Sequence, residues 1–260
     1  MIEQEVIDLL MPTGRGTPCG DLMRRYWQPA ALSEELALDK PLPAQLFGEE
    51  LILFRDGDGK PALIGRYCAH QGVDMIYGQV EPDGLRCLYH GWLFDNCGKV
   101  VLRGDWLPEK ERRWDVGQPA YRCIEQAGII FTYMAKGELP APPIEESILQ
   151  SSDWRVPTRE ICAGNYLQGM SDPSQSGSSA AAFLLPNIMT SPARHDEDAH
   201  WLRWHVPVDD HSYVAYTLRY GGAPQFNGEP SDGLRRSLLE ATEAVRSEQL
   251  TAAVQTSKDY

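Results

Sequence analysis

The sequence predicts an α+β protein in which short antiparallel strands outnumber helices. Three observations predict this class. Helical spacing of charged and apolar residues is confined to the two ends of the chain, short β-rich runs fill the middle, and turn signals such as Asp56-Gly57-Asp58-Gly59 separate those runs. At 260 residues, of which 42% are hydrophobic, the chain is long enough for one large domain or two modest ones.

Residues 1–40 are predicted to form an N-terminal helical arm. The segment DLMRRYWQPAAL carries charged and apolar residues at helical spacing up to Pro29, where the helix is expected to stop. The chain begins with acidic residues where a signal peptide would be basic, and no apolar run reaches the roughly 18 residues of a membrane span. We therefore expect a cytoplasmic protein with no membrane partner.

Residues 41–140 are predicted to form a compact antiparallel β domain, and residues 141–260 a second region, with the boundary inside the proline-rich stretch GELPAPPIEES. The strand-like runs of the first are AQLFG, ELILFRD, PALIGRY, LRCLYHGWLF, KVVL and AYRCIEQAGIIFTYM. Those of the second are FLLPNIMTSP, HWLRWHVPV and SYVAYTLRY, followed by the amphipathic helix DGLRRSLLEATEAVRSEQLTAAV. The polar segment SDPSQSGSSAAA has no predicted secondary structure.

The formal net charge of -13 bears on the choice of partner. Nucleic acids are bound by clustered Lys and Arg, and the sequence has no such cluster. We therefore expect small-molecule or protein partners and no nucleic acid.

Two Cys and two His form the most informative pattern: Cys68 with His70, and Cys87 with His90, with sixteen residues between the pairs. Reduced thiols beside imidazoles indicate metal ligands. A zinc site is one interpretation, although zinc fingers usually keep like ligands together, and side chains placed only for packing are another. In a Rieske [2Fe–2S] cluster two thiolates hold one iron and two imidazoles the other, so mixed pairs on two loops suit that cluster directly.

The spacing C-x-H, sixteen residues and C-x-x-H, followed by Gly-Trp-x-Phe-Asp, resembles the Rieske domain of ring-hydroxylating oxygenase α subunits, especially the phthalate-dioxygenase-like branch. The resemblance implies a Rieske antiparallel β domain followed by an abbreviated antiparallel-sheet-and-helix catalytic domain. Further similar segments are GDLMRRYWQPAAL, AYRCIEQAGIIFTYM, NYLQGM, FLLPNIM and HVPVDDHSYVAYTLRY.

The resemblance also implies a function. An NAD(P)H-dependent reductase or a ferredoxin would deliver electrons to the [2Fe–2S] cluster, which would feed a mononuclear non-heme Fe(II) that activates O₂ against an aromatic acid or aryl ether. The family assembles as a head-to-tail homotrimer, and Asp172 matches the catalytic acid that bridges the two iron centres across subunits. The reactions that the resemblance implies are mono- or dioxygenation of an aromatic substrate, or O-demethylation.

The resemblance weakens at the mononuclear iron. With Asp172 laid on the first position of the D-x-x-H-x₄-H motif, Gln175 and Ala180 stand at the positions of the two His ligands. A second interpretation is that a block has been lost between Met170 and Ser171, and in both the third ligand would follow Tyr260. The alternative is therefore an electron-transfer or non-catalytic Rieske subunit that lacks the mononuclear iron. His195 and His200 have His-x₄-His spacing, but this acidic run is predicted to be a solvated hairpin rather than a substitute iron site.

Overall fold

The computed structural model describes residues 4–102, 116–151, 154–171, 182–184, 186–191 and 200–221. All of them belong to one compact unit. The predicted α+β class is confirmed, because the described residues form three antiparallel sheets with short helices beside them. The helices are α1 (Gln4–Leu10), α2 (Pro18–Met23), α3 (Glu146–Ser151) and α4 (Tyr166–Ser171).

The predicted helix that reaches Pro29 is wrong. Helix α2 begins after Thr17, whose side chain caps the amide of Gly20, and it ends at Met23. Residues Gln28–Leu32 form strand β1 instead. All five of its residues are buried, so the segment has no alternation to reveal a strand, and pairing with a distant strand overrides the local helical spacing.

The first sheet has six strands in the order β1, β10, β9, β4, β3, β2. Every neighbouring pair is antiparallel. The strands are β1 (Gln28–Leu32), β2 (Leu42–Leu46), β3 (Glu49–Arg55), β4 (Pro61–Gly65), β9 (Ala120–Gln126) and β10 (Ile129–Tyr133).

A four-stranded sheet in the order β5, β6, β7, β8 follows β4 along the chain. Its strands are β5 (Gln79–Glu81), β6 (Gly84–Arg86), β7 (Leu93–Phe94) and β8 (Val100–Leu102). The two predicted ligand pairs lie in the loops that precede and divide this sheet, so its short strands set the positions of those loops.

The third sheet has five strands in the order β11, β15, β14, β13, β12. They are β11 (Trp154–Ala163), β12 (Ala182–Leu184), β13 (Ile188–Thr190), β14 (His200–Pro207) and β15 (Ser212–Gly221). The three predicted runs of this region fall on β12 to β15, whereas β11 was not predicted, because its polar and half-buried residues give no strand pattern. The predicted amphipathic helix lies outside the described residues. So does the segment SDPSQSGSSAAA, apart from its first residue, which ends α4, and its last, Ala182, which begins β12.

Two apolar cores hold these sheets. The larger lies between the first and third sheets, where Trp204 packs edge-on against Phe131 with ring centroids 5.5 Å apart. The smaller joins the first sheet to the four-stranded sheet and includes the side chains of Cys68, Cys87 and Trp92. The candidate ligand loops are therefore anchored in their own core. No described helix is long and apolar enough to cross a membrane.

Candidate metal centre

Two loops with the same backbone frame carry the predicted ligands. In the first loop, Cys68–Val73, the amide of Cys68 donates to the carbonyl of Val73 at 2.8 Å, and the amide of Gly72 donates to the carbonyl of Cys68 at 2.8 Å. In the second loop, 87–92, the amide of Cys87 donates to the carbonyl of Trp92 at 2.8 Å, and the amide of Gly91 donates to the carbonyl of Cys87 at 2.9 Å. The glycine of each loop has a positive φ, of 71° and 70°, which explains its placement four residues after the cysteine.

The two thiols lie together at the base of the loops. Cys68 and Cys87 are 3% and 2% exposed, and their side chains share a hydrogen bond. That bond raises the pKa of Cys68 and lowers the pKa of Cys87 to about 6, with backbone amides of Tyr89 and His90 also favouring the Cys87 thiolate. The pair therefore favours a thiolate at Cys87 beside a protonated thiol at Cys68, whereas metal binding requires both sulfurs as thiolates.

The two imidazoles form a second pair. Nδ1 of His70 and Nδ1 of His90 lie 3.0 Å apart, and both side chains are half-buried. The ring of His70 stacks on Trp92 with centroids 4.5 Å apart and an angle of 6° between the planes. The ring of His90 lies 3.9 Å from that of Tyr89. Aromatic neighbours thus hold both rings with the same nitrogen directed to the same place.

The four side chains fit a [2Fe–2S] cluster. They meet as a thiol pair and an imidazole pair, which matches a binuclear centre that takes two thiolates on one metal and two imidazoles on the other. Within the described part of the chain, no three His, Cys, Asp or Glu side chains surround a single metal position. All six cysteines are described, and none forms a disulfide.

Two arginines that support the loops were missed from the sequence. Arg66 donates to both carboxylate oxygens of Asp74, at 3.1 and 2.7 Å, across the base of the first loop. Arg86 forms a two-pronged ion pair with Glu81 and donates to a carbonyl of the second loop. The sequence does show an arginine one or two positions before each cysteine. Basic residues are common on strands that border solvent, so this position alone did not indicate a supporting role.

The other predicted residues of the catalytic region have different outcomes. Asp172, Gln175, Ala180 and His195 lie outside the described residues. His200 begins strand β14, where its ring lies 5.6 Å from that of another strand residue. A turn follows this strand at 209–211, where a carboxylate oxygen of residue 209 accepts from the amide of residue 211 at 2.8 Å.

The comparison with family models decides the nature of the loop region. Residues 26–108 match the model described as Rieske [2Fe-2S] domain. This part of the chain is a Rieske domain. The match contains both loops and all four of the converging side chains, and a Rieske domain implies a [2Fe–2S] cluster.

Similar proteins extend the assignment beyond the Rieske domain. The α subunit of phenoxybenzoate dioxygenase from Ectopseudomonas oleovorans is 41% identical over 219 residues, which are 82% of this chain and 47% of that protein. The oxygenase subunit of 5,5'-dehydrodivanillate O-demethylase from Sphingobium sp. (strain NBRC 103272 / SYK-6) is 36% identical over 65% of this chain and 41% of its own. The resemblance to Rieske oxygenase α subunits is confirmed, and the chain spans less than half the length of these relatives.

Solved structures share the fold. The terminal oxygenase of carbazole 1,9a-dioxygenase from Novosphingobium sp. KA1 matches with a TM-score of 0.61 and 16% identity, over 92% of this chain and 81% of that one. A reduced complex between oxygenase and ferredoxin in carbazole 1,9a-dioxygenase matches with the same TM-score over 95% and 79% of the two chains, at 15% identity. At this identity the likeness concerns the fold alone.

Proposed function

We propose that Cys68 and Cys87 hold one iron of a [2Fe–2S] cluster and that His70 and His90 hold the other. The observation that carries this proposal is the division of the four side chains into a buried thiol pair and a half-exposed imidazole pair, each aimed at a common point. When bound, such a cluster accepts one electron and passes it on. The protein supplies the buried thiolates, the ring orientations and the hydrogen bonds around them.

Iron and acid-labile sulfide content of the purified chain test this assignment. We expect two acid-labile sulfides and at least two irons per chain, and a Rieske-type electron paramagnetic resonance signal after reduction with dithionite. Replacing His90 by Cys should lower the reduction potential, because a thiolate makes the cluster more negative than an imidazole does. The control is Cys97→Ser, which changes an exposed cysteine of a turn and should alter nothing. One zinc per chain with no such signal would contradict the proposal.

We further propose that the chain belongs to the oxygenase component of an aromatic ring-hydroxylating or O-demethylating system. An NAD(P)H-dependent reductase or a ferredoxin would supply electrons, and an aromatic acid or aryl ether would be the substrate. The names of the relatives support this reading, since they include a phenoxybenzoate dioxygenase and an O-demethylase. A cytoplasmic location fits a pathway that depends on NAD(P)H.

The decisive assay for oxygenation uses isotopic oxygen. The chain is supplied with a reductase, NAD(P)H, iron(II) and a panel of aryl acids under ¹⁸O₂, and products are analysed by mass spectrometry. Incorporation of ¹⁸O into a product supports an oxygenase. Reduction of the cluster without any oxygenated product supports the second candidate described next.

The second candidate is an electron-transfer or non-catalytic Rieske subunit. The observation that favours it is that Gln175 and Ala180 occupy the positions of the two His ligands of the mononuclear iron. A glutamine amide and a methyl group do not replace imidazoles as ligands of Fe(II). Iron content separates the candidates, because two irons per chain indicate the cluster alone and three indicate a second metal centre.

A head-to-tail homotrimer is also part of the proposal. In such an assembly Asp172 of one subunit would accept a hydrogen bond from a cluster imidazole of the next, which fixes the ring and couples reduction to a proton. The mass in solution tests the trimer directly. A single-chain mass at micromolar concentration would contradict it, and Asp172→Asn should leave the mass unchanged while altering the pH dependence of the potential.

A further inference from the structure

The two ligand loops share their internal hydrogen bonds but differ in how an arginine supports them. In the first loop, Nε and Nη2 of Arg66 both donate to the carboxylate of Asp74. That carboxylate also accepts from the amide of Ile76. This arginine therefore acts through the 3-10 turn that follows the loop. In the second loop the arginine contacts the loop itself.

Arg86 lies immediately before Cys87 and reaches the far end of the same loop. Its Nη1 donates to the carbonyl oxygen of Gly91 at 2.8 Å, and that carbonyl directly follows His90. Its Nε and Nη2 bind the two carboxylate oxygens of Glu81, the latter at 2.7 Å. One guanidinium thus links the start and the end of the loop that carries two of the proposed ligands.

The position of Gly91 makes this contact matter. Its φ of 70° is adopted readily only by glycine, and its amide already donates to the carbonyl of Cys87 at 2.9 Å. With its carbonyl bound by Arg86, both backbone polar groups of Gly91, the residue after His90, are fixed. The ring of His90 can then keep one orientation while it contacts the exposed ring of Tyr89.

The same ion pair also places charge beside the cluster. The side chains of Arg86 and Glu81 are about a quarter exposed, at 24% and 23%, so solvent screens them only in part. A reduced cluster carries one more negative charge than an oxidised one. A nearby cation therefore favours the reduced form, and a nearby anion opposes it.

We propose that Arg86 is a positioning residue for His90 and that the Arg86–Glu81 pair sets the reduction potential of the cluster through the balance of its two charges. The inference rests on the proposed cluster and is independent of oxygenation. Arginine suits both roles, because its planar fork binds the Glu81 carboxylate with two nitrogens while the third reaches the loop carbonyl. A lysine would keep the charge but could not hold all three contacts.

The test is a redox titration of the cluster in the full chain, with electron paramagnetic resonance spectra of the reduced state and with no oxygen or aryl acid present. Arg86→Met should lower the midpoint potential, and Glu81→Gln should raise it. Arg86→Lys should leave the reduction potential near that of the wild type. It should broaden the electron paramagnetic resonance signal or shift its g-values, because the hydrogen bond to the Gly91 carbonyl is lost. Lys60→Met removes an exposed cation from a turn of the first sheet and should change neither measurement.

Shifts of Arg86→Met and Glu81→Gln in the same direction, or of neither, would overturn the charge-balance part of the proposal. Wild-type g-values in both arginine variants would overturn the positioning part. If Arg86→Met fails to assemble a cluster, Glu81→Gln and Arg86→Lys still test the two parts separately. A wild-type chain without a Rieske signal would instead refute the cluster itself, so the two failures are distinguishable.

Discussion

Lowering the pH from 7 to 5 should destabilise this protein through His205, a residue of β14 that is fully buried. Neither ring nitrogen of His205 has a hydrogen-bond partner among the described residues. Burial lowers its pKa to about 4, and the nearby charge of Arg203 adds to the effect. Its backbone is fixed on both sides by Asn187, which accepts from the His205 amide and donates to its carbonyl, each at 2.9 Å. The ring therefore stays in its buried position and neutral.

The size of the effect follows from proton linkage. An unfolded chain protonates this histidine at its ordinary pKa of 6.5, whereas the folded chain does so only near 4. The unfolded state thus binds more protons between these values, so stability is full above pH 6.5 and is lost as the pH falls toward 4. The whole gap corresponds to about 3 kcal/mol, of which about 2 kcal/mol is lost between pH 7 and pH 5.

Urea unfolding at both pH values measures this loss. Carboxylates titrate over the same range in every variant, so the informative quantity is the difference between the wild type and His205→Leu. The wild type should lose about 2 kcal/mol more than the variant, because leucine has no proton to take up. His205→Phe serves as a second variant if leucine packs poorly, and His200→Gln on the same strand should keep the wild-type dependence. Equal losses in the wild type and both His205 variants would refute the reasoning.

Two further predictions concern packing around the Rieske domain. Gly84→Ala should abolish cluster content in the iron assay, because a Cβ there would lie 1.9 Å from a carbonyl oxygen of the facing strand at a φ of 145°. Gly59→Ala, at a φ of 77° with no atom within 4 Å, should cost only about 1 kcal/mol in urea unfolding. Glu49→Gln should cost about 3 kcal/mol in urea unfolding, since it leaves the buried charge of Arg24, 4% exposed, without its carboxylate partner. Glu50→Gln, at a more exposed carboxylate, should cost under about 1 kcal/mol, and an equal loss in both variants would contradict the burial argument.

The Rieske domain was readable from sequence because its constraints are local. Each ligand pair lies within four residues of chain, and the strands beside the loops are short runs bounded by turn signals. The glycine four residues after each cysteine is required by the positive φ of the closed loop. Local chemistry of this kind leaves a pattern that needs no knowledge of distant contacts. The pairing of thiol with thiol and imidazole with imidazole, by contrast, exists only once the two loops are brought together.

Strands β1 and β11 were harder to predict because tertiary contacts decide their conformation. Strand β1 pairs with β10, a hundred residues later in the sequence, and it is buried on both faces, so its residues show no alternation. Among the described residues, strand β11 lies at the edge of its sheet, where it pairs with β15. Pro157 and the polar run Thr158-Arg159-Glu160 interrupt its apolar residues, so the segment looks like a loop. In both cases the partner strand supplies the information that the segment itself lacks.

The burial of the four proposed ligands decides where electrons would enter and leave the cluster. The thiols lie at the base of the loops within the smaller core, so any path through them must cross packed side chains of the first sheet. The imidazoles are half-buried, and the second ligand loop carries two exposed side chains, Leu88 and Tyr89, which are 61% and 63% exposed. Because electron transfer slows steeply with distance, a partner protein gains most by docking on the imidazole side. The position of Arg86 is then significant for a second reason, since it orders the loop whose exposed side chains such a partner would contact first.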